Sequence, residues 1–265
     1  MIGFAVVVGA FVSRPTIVTP LALLFGFLTG FLICAYSMVV NDIYDIEVDK
    51  INRPDRPIPS GEVSPKEAWM ISWLLLGSGS LFSLVTLNIF ALGVAALYAV
   101  LSWLYNSRAK KAGLVGNLIV ASSLAIPFIY GGIVTGGSIT GSLLLMMAFT
   151  AMSAGVGREV VKAMADVEGD AKRGIRSVPR THGERTASFV GAGFFLLAVF
   201  VSWIPLIFGL ANWIYTIGVI VPDTIFIYLA ASILKGPNAG NAYRVKKFAL
   251  AGMTVGLVVF IGGAF

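Results

Sequence analysis

A chain of 265 residues that is 57% hydrophobic and only 12% charged, with mean hydropathy +0.90, carries more apolar surface than a soluble domain of this size can bury. The composition is that of a polytopic helical membrane protein. The net charge of +6 sits in loops between apolar segments, so topology accounts for it and nucleic acid is not an expected partner.

Apolar segments long enough to span run over 17–44, 67–87, 89–105, 114–134, 141–165, 186–208, 212–234 and 244–264. Residues 1–13 are also apolar but short for a crossing at about 1.5 Å per residue, and read as the end of a first helix that begins upstream or at the membrane surface. They lack the basic n-region and processing site of a cleavable signal. The expected fold is all-α: one transmembrane domain over 1–265 with nine helices. Cys34, the single cysteine, lies in an apolar run and excludes a disulfide.

Loop charges orient the chain. Lys50, Arg53, Arg56 and Lys66 follow the second helix, and Arg108, Lys110 and Lys111 follow the fourth. Lys172, Arg173, Arg176, Arg180 and Arg185 follow the sixth; Lys235, Arg244, Lys246 and Lys247 surround the start of the ninth. The alternate loops, around Asn88, 131–141 and 211–212, carry no Lys or Arg, and Arg14 is the one basic residue on that side. The asymmetry predicts cytoplasmic charged loops, a cytoplasmic N-terminus and an external C-terminus. Every acid except Asp223 lies in or beside the charged loops. Asp223 follows Pro222 within the eighth helix, where it is either functional or a cap for backbone freed by the proline. His182, with no second His or Cys nearby, reads as a loop residue rather than a zinc ligand.

Two acidic clusters stand out. The first, Asn41-Asp42-Ile43-Tyr44-Asp45-Ile46-Glu47-Val48-Asp49, ends the second helix. At about 100° per residue, Asn41, Asp45 and Asp49 fall within roughly 80° of one another, Asp42 within about 100° of Asn41, and Glu47 points elsewhere. The second ends the sixth helix, where Arg158, Lys162, Asp166 and Asp170 recur every four residues as one stripe and Glu168 faces away. In both places an apolar helix ends in carboxylates and a basic loop follows, so helices 2–5 and 6–9 read as two related halves. Carboxylates that would repel are tolerable if they share a hard, oxygen-liganded cation such as Mg²⁺ or Ca²⁺. Two such clusters at one membrane face, ringed by Lys and Arg, suit a diphosphate held through Mg²⁺, and metal bridging also makes diphosphate a leaving group. The membrane setting adds a lipid substrate. Ionisation of an allylic prenyl diphosphate follows.

The motifs Asn41-Asp42-x-x-Asp45-x-x-x-Asp49, Asn52-Arg53-Pro54-x-Arg56-Pro57-Ile58-Pro59-Ser60-Gly61 and Asp166-x-x-x-Asp170, with Leu104-Tyr105-Asn106-Ser107-Arg108-Ala109-Lys110-Lys111 between them, resemble those of the intramembrane UbiA prenyltransferases over essentially the whole chain. The resemblance implies nine helices around a central cavity, Mg²⁺-bound diphosphate under a cytoplasmic cap, and a lateral opening to lipid. It implies that Asn41, Asp45, Asp49, Asp166 and Asp170 hold Mg²⁺, with Asp42 an additional ligand. Arg53, Lys110 and Lys162 would contact the diphosphate, with Arg56, Arg108 and Arg158 in reserve. Tyr105 would stabilise the allylic cation or orient the diphosphate; its alternative is an interfacial tyrosine. The stretches 52–64, 105–117 and 158–173 look most like the archaeal, ether-lipid-forming branch, which implies geranylgeranyl diphosphate as donor and geranylgeranylglyceryl phosphate as lipid acceptor. Aromatic, quinone-precursor and chlorophyllide acceptors are the alternatives. The arginine–proline element that opens the first helix in the family is missing, and Arg14-Pro15 lies too late to replace it, which implies an alternative or upstream start. No obligate protein partner is implied. The competing class is a cation or phosphate transporter, though transporters place their acids near the bilayer midplane, whereas these crowd one face.

Overall fold

A computed structural model describes residues 1–263. Its helices are α1 (Ile2–Val12), α2 (Pro20–Tyr44), α3 (Ile46–Asn52), α4 (Pro65–Val85), α5 (Ile89–Ser107), α6 (Leu114–Thr135), α7 (Ser142–Met164), α8 (Val167–Lys172), α9 (Val178–Ile207), α10 (Trp213–Lys235) and α11 (Ala239–Gly262), with a 3₁₀ turn at Ala109–Lys111. Eight of them, α2, α4, α5, α6, α7, α9, α10 and α11, are long and apolar enough to cross a membrane. With the shorter apolar α1 they make nine packed helices among the described residues.

Several starts are written locally. Thr19 Oγ1 accepts from Ala22 N ahead of Pro20, and Ser64 and Glu67 form a reciprocal capping box ahead of Pro65. Asn88, Asn212 and Asn238 cap α5, α10 and α11 with their side-chain oxygens. Large apolar side chains such as Phe31, Met38, Trp73, Phe200, Trp213 and Phe248 face outward, as a lipid-facing surface requires.

Spans forecast from hydropathy agree with the helices to within a few residues at most ends. The departures fall where the carboxylates are. A continuous helix through Asp49 would have set Asn41, Asp45 and Asp49 on one stripe; instead α2 ends at Asp45, whose φ of −97° and ψ of 3° are not helical, and α3 starts afresh. Likewise α7 stops at Met164, and Asp166 (φ −134°, ψ 34°) precedes α8, so Arg158 and Asp170 do not share one helix. Each break turns the last carboxylate of its motif into a new direction. A third break, at Gly183 (φ 84°), separates a short helical turn holding His182 from the membrane part of α9.

Packing around α1 sets the apolar end of the interior. An ideal Cβ on Gly131 of α6 would lie 2.0 Å from Val6 O, and one on Gly9 would lie 2.0 Å from Phe128 O, so α1 and α6 meet backbone to backbone. Their contact continues through Val8, Val12, Ala125 and Phe128. A second core joins α7, α9, α10 and α11 through Val160, Val161, Phe195, Phe226 and Val245. Between these bodies α2, α5, α6 and α7 enclose a cavity of about 700 Å³.

A side chain at Gly131 therefore meets fixed backbone. Gly131→Val is expected to destabilise by about 1–3 kcal/mol through overpacking, read as a lower melting temperature in detergent, whereas Gly193→Val, with nothing within 4 Å of its Cβ, should melt like the parent. Equal melting temperatures for the two variants would remove the α1–α6 contact from the account of stability.

Candidate active site

The cavity is apolar at depth and ionic at its mouth. Ile33, Leu101, Val120 and Ile126 line the interior, and Asn41, Asp42, Asp45, Asp49, Tyr105, Asp166 and Asp170 line the end at the charged loops. Four separate elements, the end of α2, α3, the end of α5 and the α7–α8 junction, deliver these groups to one chamber. Arg53, Arg56, Lys110, Lys162 and Arg173 line the same chamber.

The last turn of α2 is fixed by α5. Asn41 Nδ2 donates to Asn106 Oδ1 at 2.7 Å, and Asn106 Nδ2 donates to Ser102 O at 3.0 Å. Ser102 Oγ in turn donates to Ser37 Oγ at 2.6 Å. With its nitrogen committed to Asn106, the Asn41 amide keeps its oxygen for another partner.

The first aspartate cluster closes around cations that come from loops. Arg56 Nη1 lies 2.9 Å from Asp42 Oδ1 and 2.6 Å from Asp49 Oδ2, so two carboxylates converge on one nitrogen. Arg56 is carried by the proline-rich turn after α3, held by Arg56 N to Arg53 O (3.0 Å) and Ser60 N to Arg56 O (2.9 Å). Lys110, from the 3₁₀ turn, reaches Asp45 at 2.5 Å. The second cluster repeats the pattern, with Arg173 Nη2 bonded to Asp166 and lying 3.4 Å from Asp170. A side chain at Gly169 would displace the carboxylate, since a Cβ there would sit 2.2 Å from Asp166 Oδ1, and Arg173 Nε also bonds Gly169 O at 3.1 Å. Burial pushes the Asp170 carboxyl above the ordinary aspartate range, and Arg173 offsets only part of that.

Other expected residues are distributed unevenly. Tyr105 lines the same cavity as both clusters. Lys162 lines the cavity, but Arg158, expected on the same stripe, turns onto Glu159 at 2.8 Å and is not on the cavity wall. Arg53 sits at the mouth with 58% of its side chain exposed, while Arg108 is exposed and off the cavity. Glu47 faces out with Lys50, as its helical phase required. Asp223 is buried against α9, accepting from Ser202 Oγ at 2.9 Å, and belongs to a separate pocket of about 60 Å³. Glu159 and Asn106 were missed. Glu159 is 7% exposed, lines the cavity and holds both Arg158 and Lys162, yet in sequence it falls off the four-residue stripe. Asn106 falls within the motif around Tyr105 but was given no role, because its partner is 65 residues away.

The donor set suits a hard divalent cation. Among the described residues no three carboxylates converge on one point. The convergence is pairwise: Asp42 with Asp49 and Asp166 with Asp170 each surround a single positively charged nitrogen. The ligands are all oxygen, and Mg²⁺ is commonly held by one or two carboxylates, with water and substrate phosphate completing its octahedron. The chamber thus has room in its ligand pattern for metal-bound diphosphate.

The UbiA prenyltransferase family profile matches residues 2–253, and the chain belongs to that family. It is an integral membrane prenyltransferase. It is 37% identical over 272 residues to digeranylgeranylglyceryl phosphate synthase of Archaeoglobus fulgidus, covering 100% of this chain and 91% of the relative. A solved structure of a digeranylgeranylglyceryl phosphate synthase superimposes with a TM-score of 0.80 at 34% identity, over 99% of this chain and 92% of the other. A UbiA homologue from Archaeoglobus fulgidus bound to DMAPP and Mg²⁺ shares the fold, with a TM-score of 0.68 at 16% identity over 98% of this chain and 94% of that one. Family membership decides between enzyme and transporter in favour of the enzyme.

If the aspartates at the cavity mouth carry the metal, Asp45→Ala and Asp170→Ala should each lower turnover by at least about a thousandfold, the scale of losing an electrostatic group aimed at the departing charge. Both proteins should elute as monodisperse species in detergent. Near-normal turnover in either would sink the metal assignment.

Proposed function

We propose that this protein transfers a geranylgeranyl group from geranylgeranyl diphosphate to the free hydroxyl of geranylgeranylglyceryl phosphate, at the cytoplasmic face of the membrane. The observation that carries the reading is the convergence of two aspartate pairs and the cations of three loops on the mouth of one apolar cavity. The acceptor is supported by the 37% identity over the full chain to an enzyme named for that product. The cytoplasmic placement, and with it a cytoplasmic N-terminus, is supported by the Lys and Arg content of the loops at this face.

Asn41, Asp42, Asp45, Asp49, Asp166 and Asp170 would hold Mg²⁺, which when bound neutralises diphosphate and makes it a better leaving group. Arg53, Lys110 and Lys162 bind diphosphate oxygens, and Arg56 and Arg173 join them when their aspartates turn to the metal. The C–O bond of the donor breaks with its electron pair leaving on diphosphate, and an allylic cation remains. Ile33, Leu101, Val120 and Ile126 exclude water from that cation. Tyr105, on the cavity wall, stabilises the charge through its ring. The acceptor oxygen then forms the new ether bond, and its proton passes to the released diphosphate or to a cavity carboxylate.

Purified protein given geranylgeranyl diphosphate, Mg²⁺ and a panel of acceptors should yield digeranylgeranylglyceryl phosphate by mass. Transfer only to aromatic or quinone-precursor acceptors would overturn the acceptor assignment. Chelation of divalent ions should abolish turnover and added Mg²⁺ restore it; turnover that survives chelation would remove the metal from the mechanism.

A further inference from the structure

Not every cation near the cavity mouth is held by an aspartate pair. Arg56, Lys110 and Arg173 are each committed to aspartates. On α7, the single buried acid Glu159 faces both Arg158 (2.8 Å) and Lys162 (2.9 Å), so this group keeps one positive charge in excess. Lys246, in the second turn of α11, adds another. It is half-buried, makes no salt bridge among the described residues, and places its ammonium 4.6 Å from the centre of the Tyr243 ring. It stands close enough to Lys162, Arg158 and Asp166 to feel their charges.

These cations are not spread along a loop. Lys162 and Lys246 project from α7 and α11, which pack directly through Val160, Val161, Val245 and Ala249. Like charges held near one another on rigid helices repel, and the repulsion is relieved when an anion sits between them. Lys162 is also the link to the reaction chamber, since both it and Asp166, four residues later and past the end of α7, line the cavity.

We propose that Lys246, backed by Arg158 and bordered by Lys162, which it shares with the donor diphosphate, forms a second anion site that binds the phosphate monoester of the acceptor lipid. The inference rests on the reading above that the acceptor is a glycerol phosphate. The donor diphosphate takes the aspartate-bordered part of the mouth, and an acceptor phosphate entering the same low-dielectric space needs charge of its own. In a glycerol phosphate the hydroxyl oxygen and the phosphorus are four bonds apart, roughly 4–5 Å. A phosphate held between Lys246 and Lys162 therefore leaves the hydroxyl within reach of the cavity that Lys162 lines. Lys246 acts in binding and orientation.

The test compares full-length protein with Lys246→Gln, Lys246→Met and Lys246→Arg in vesicles of neutral phosphatidylcholine, and again with anionic phosphatidylglycerol added. KM is measured separately for geranylgeranylglyceryl phosphate and for geranylgeranyl diphosphate. Lys246→Gln and Lys246→Met should raise the acceptor KM about tenfold, the effect of losing one charge-assisted contact. The donor KM should move less than about twofold, and Lys246→Arg should restore the acceptor KM. The pattern should be the same in both vesicle types. An unchanged acceptor KM, or donor and acceptor KM rising together, overturns the site. An effect present only in anionic vesicles assigns Lys246 to bulk lipid headgroups and overturns it equally. If the unsubstituted protein accepts no phosphate-bearing lipid, the acceptor reading fails and the site falls with it; if it does accept one while the variants keep its KM, the site alone falls. Two neutral variants guard against one misfolding, with detergent melting curves as the check.

Discussion

Charge inside an apolar bundle is the constraint on which this structure turns. Asp49, Asp170 and Glu159 are each only 7% exposed, and an ionised carboxylate that has left water is tolerated only when paired or bound to a cation. The structure meets the demand by ending helices early. α2 and α7 stop just before Asp45 and Asp166, and the short α3 and α8 that follow redirect the next acid toward cations carried by the loops. Buried ion pairs add little net stability. Five basic and six acidic side chains around one chamber are therefore better understood as machinery than as scaffold.

The apolar scaffold explains why the chamber keeps its shape. Glycine-mediated contact between α1 and α6 closes the far end, the α7–α9–α10–α11 core fixes one wall, and the hydrogen bonds joining Ser37, Ser102, Asn41 and Asn106 lock α2 to α5 along the other. The polar ties lie on the cavity side of helices whose opposite faces meet lipid. Side-chain hydrogen bonds between membrane helices are individually modest, but here they also set which atoms of Asn41 are committed.

Much of this was legible in the sequence because the membrane imposes simple rules. Length and hydropathy located the spans, and Ser64-x-x-Glu67, Thr19-Pro20 and the asparagine caps wrote the helix starts into local sequence. The acids and bases of the mouth were legible as motifs, and most of those residues line the one cavity. What could not be read was direction. Extending an ideal helix past Asp45 or Met164 put Arg158 on a stripe it does not occupy and left Glu159 out, because a change of one backbone dihedral redirects everything after it. Pairings such as Asn41 with Asn106, or Asp45 with Lys110, span 65 residues and exist only after the helices pack.

The two guanidiniums have a consequence for how ligands arrive. Arg56 and Arg173 sit at the points where paired aspartate oxygens converge, so a metal ion held by those aspartates would have to exchange with them. Such an exchange would free an arginine fork at the mouth of the cavity, shaped to take two oxygens of a phosphate at once. Metal uptake and diphosphate uptake would then be linked equilibria, each raising the affinity for the other by the same factor. On that reading the arginines are internal placeholders for the ligands that follow.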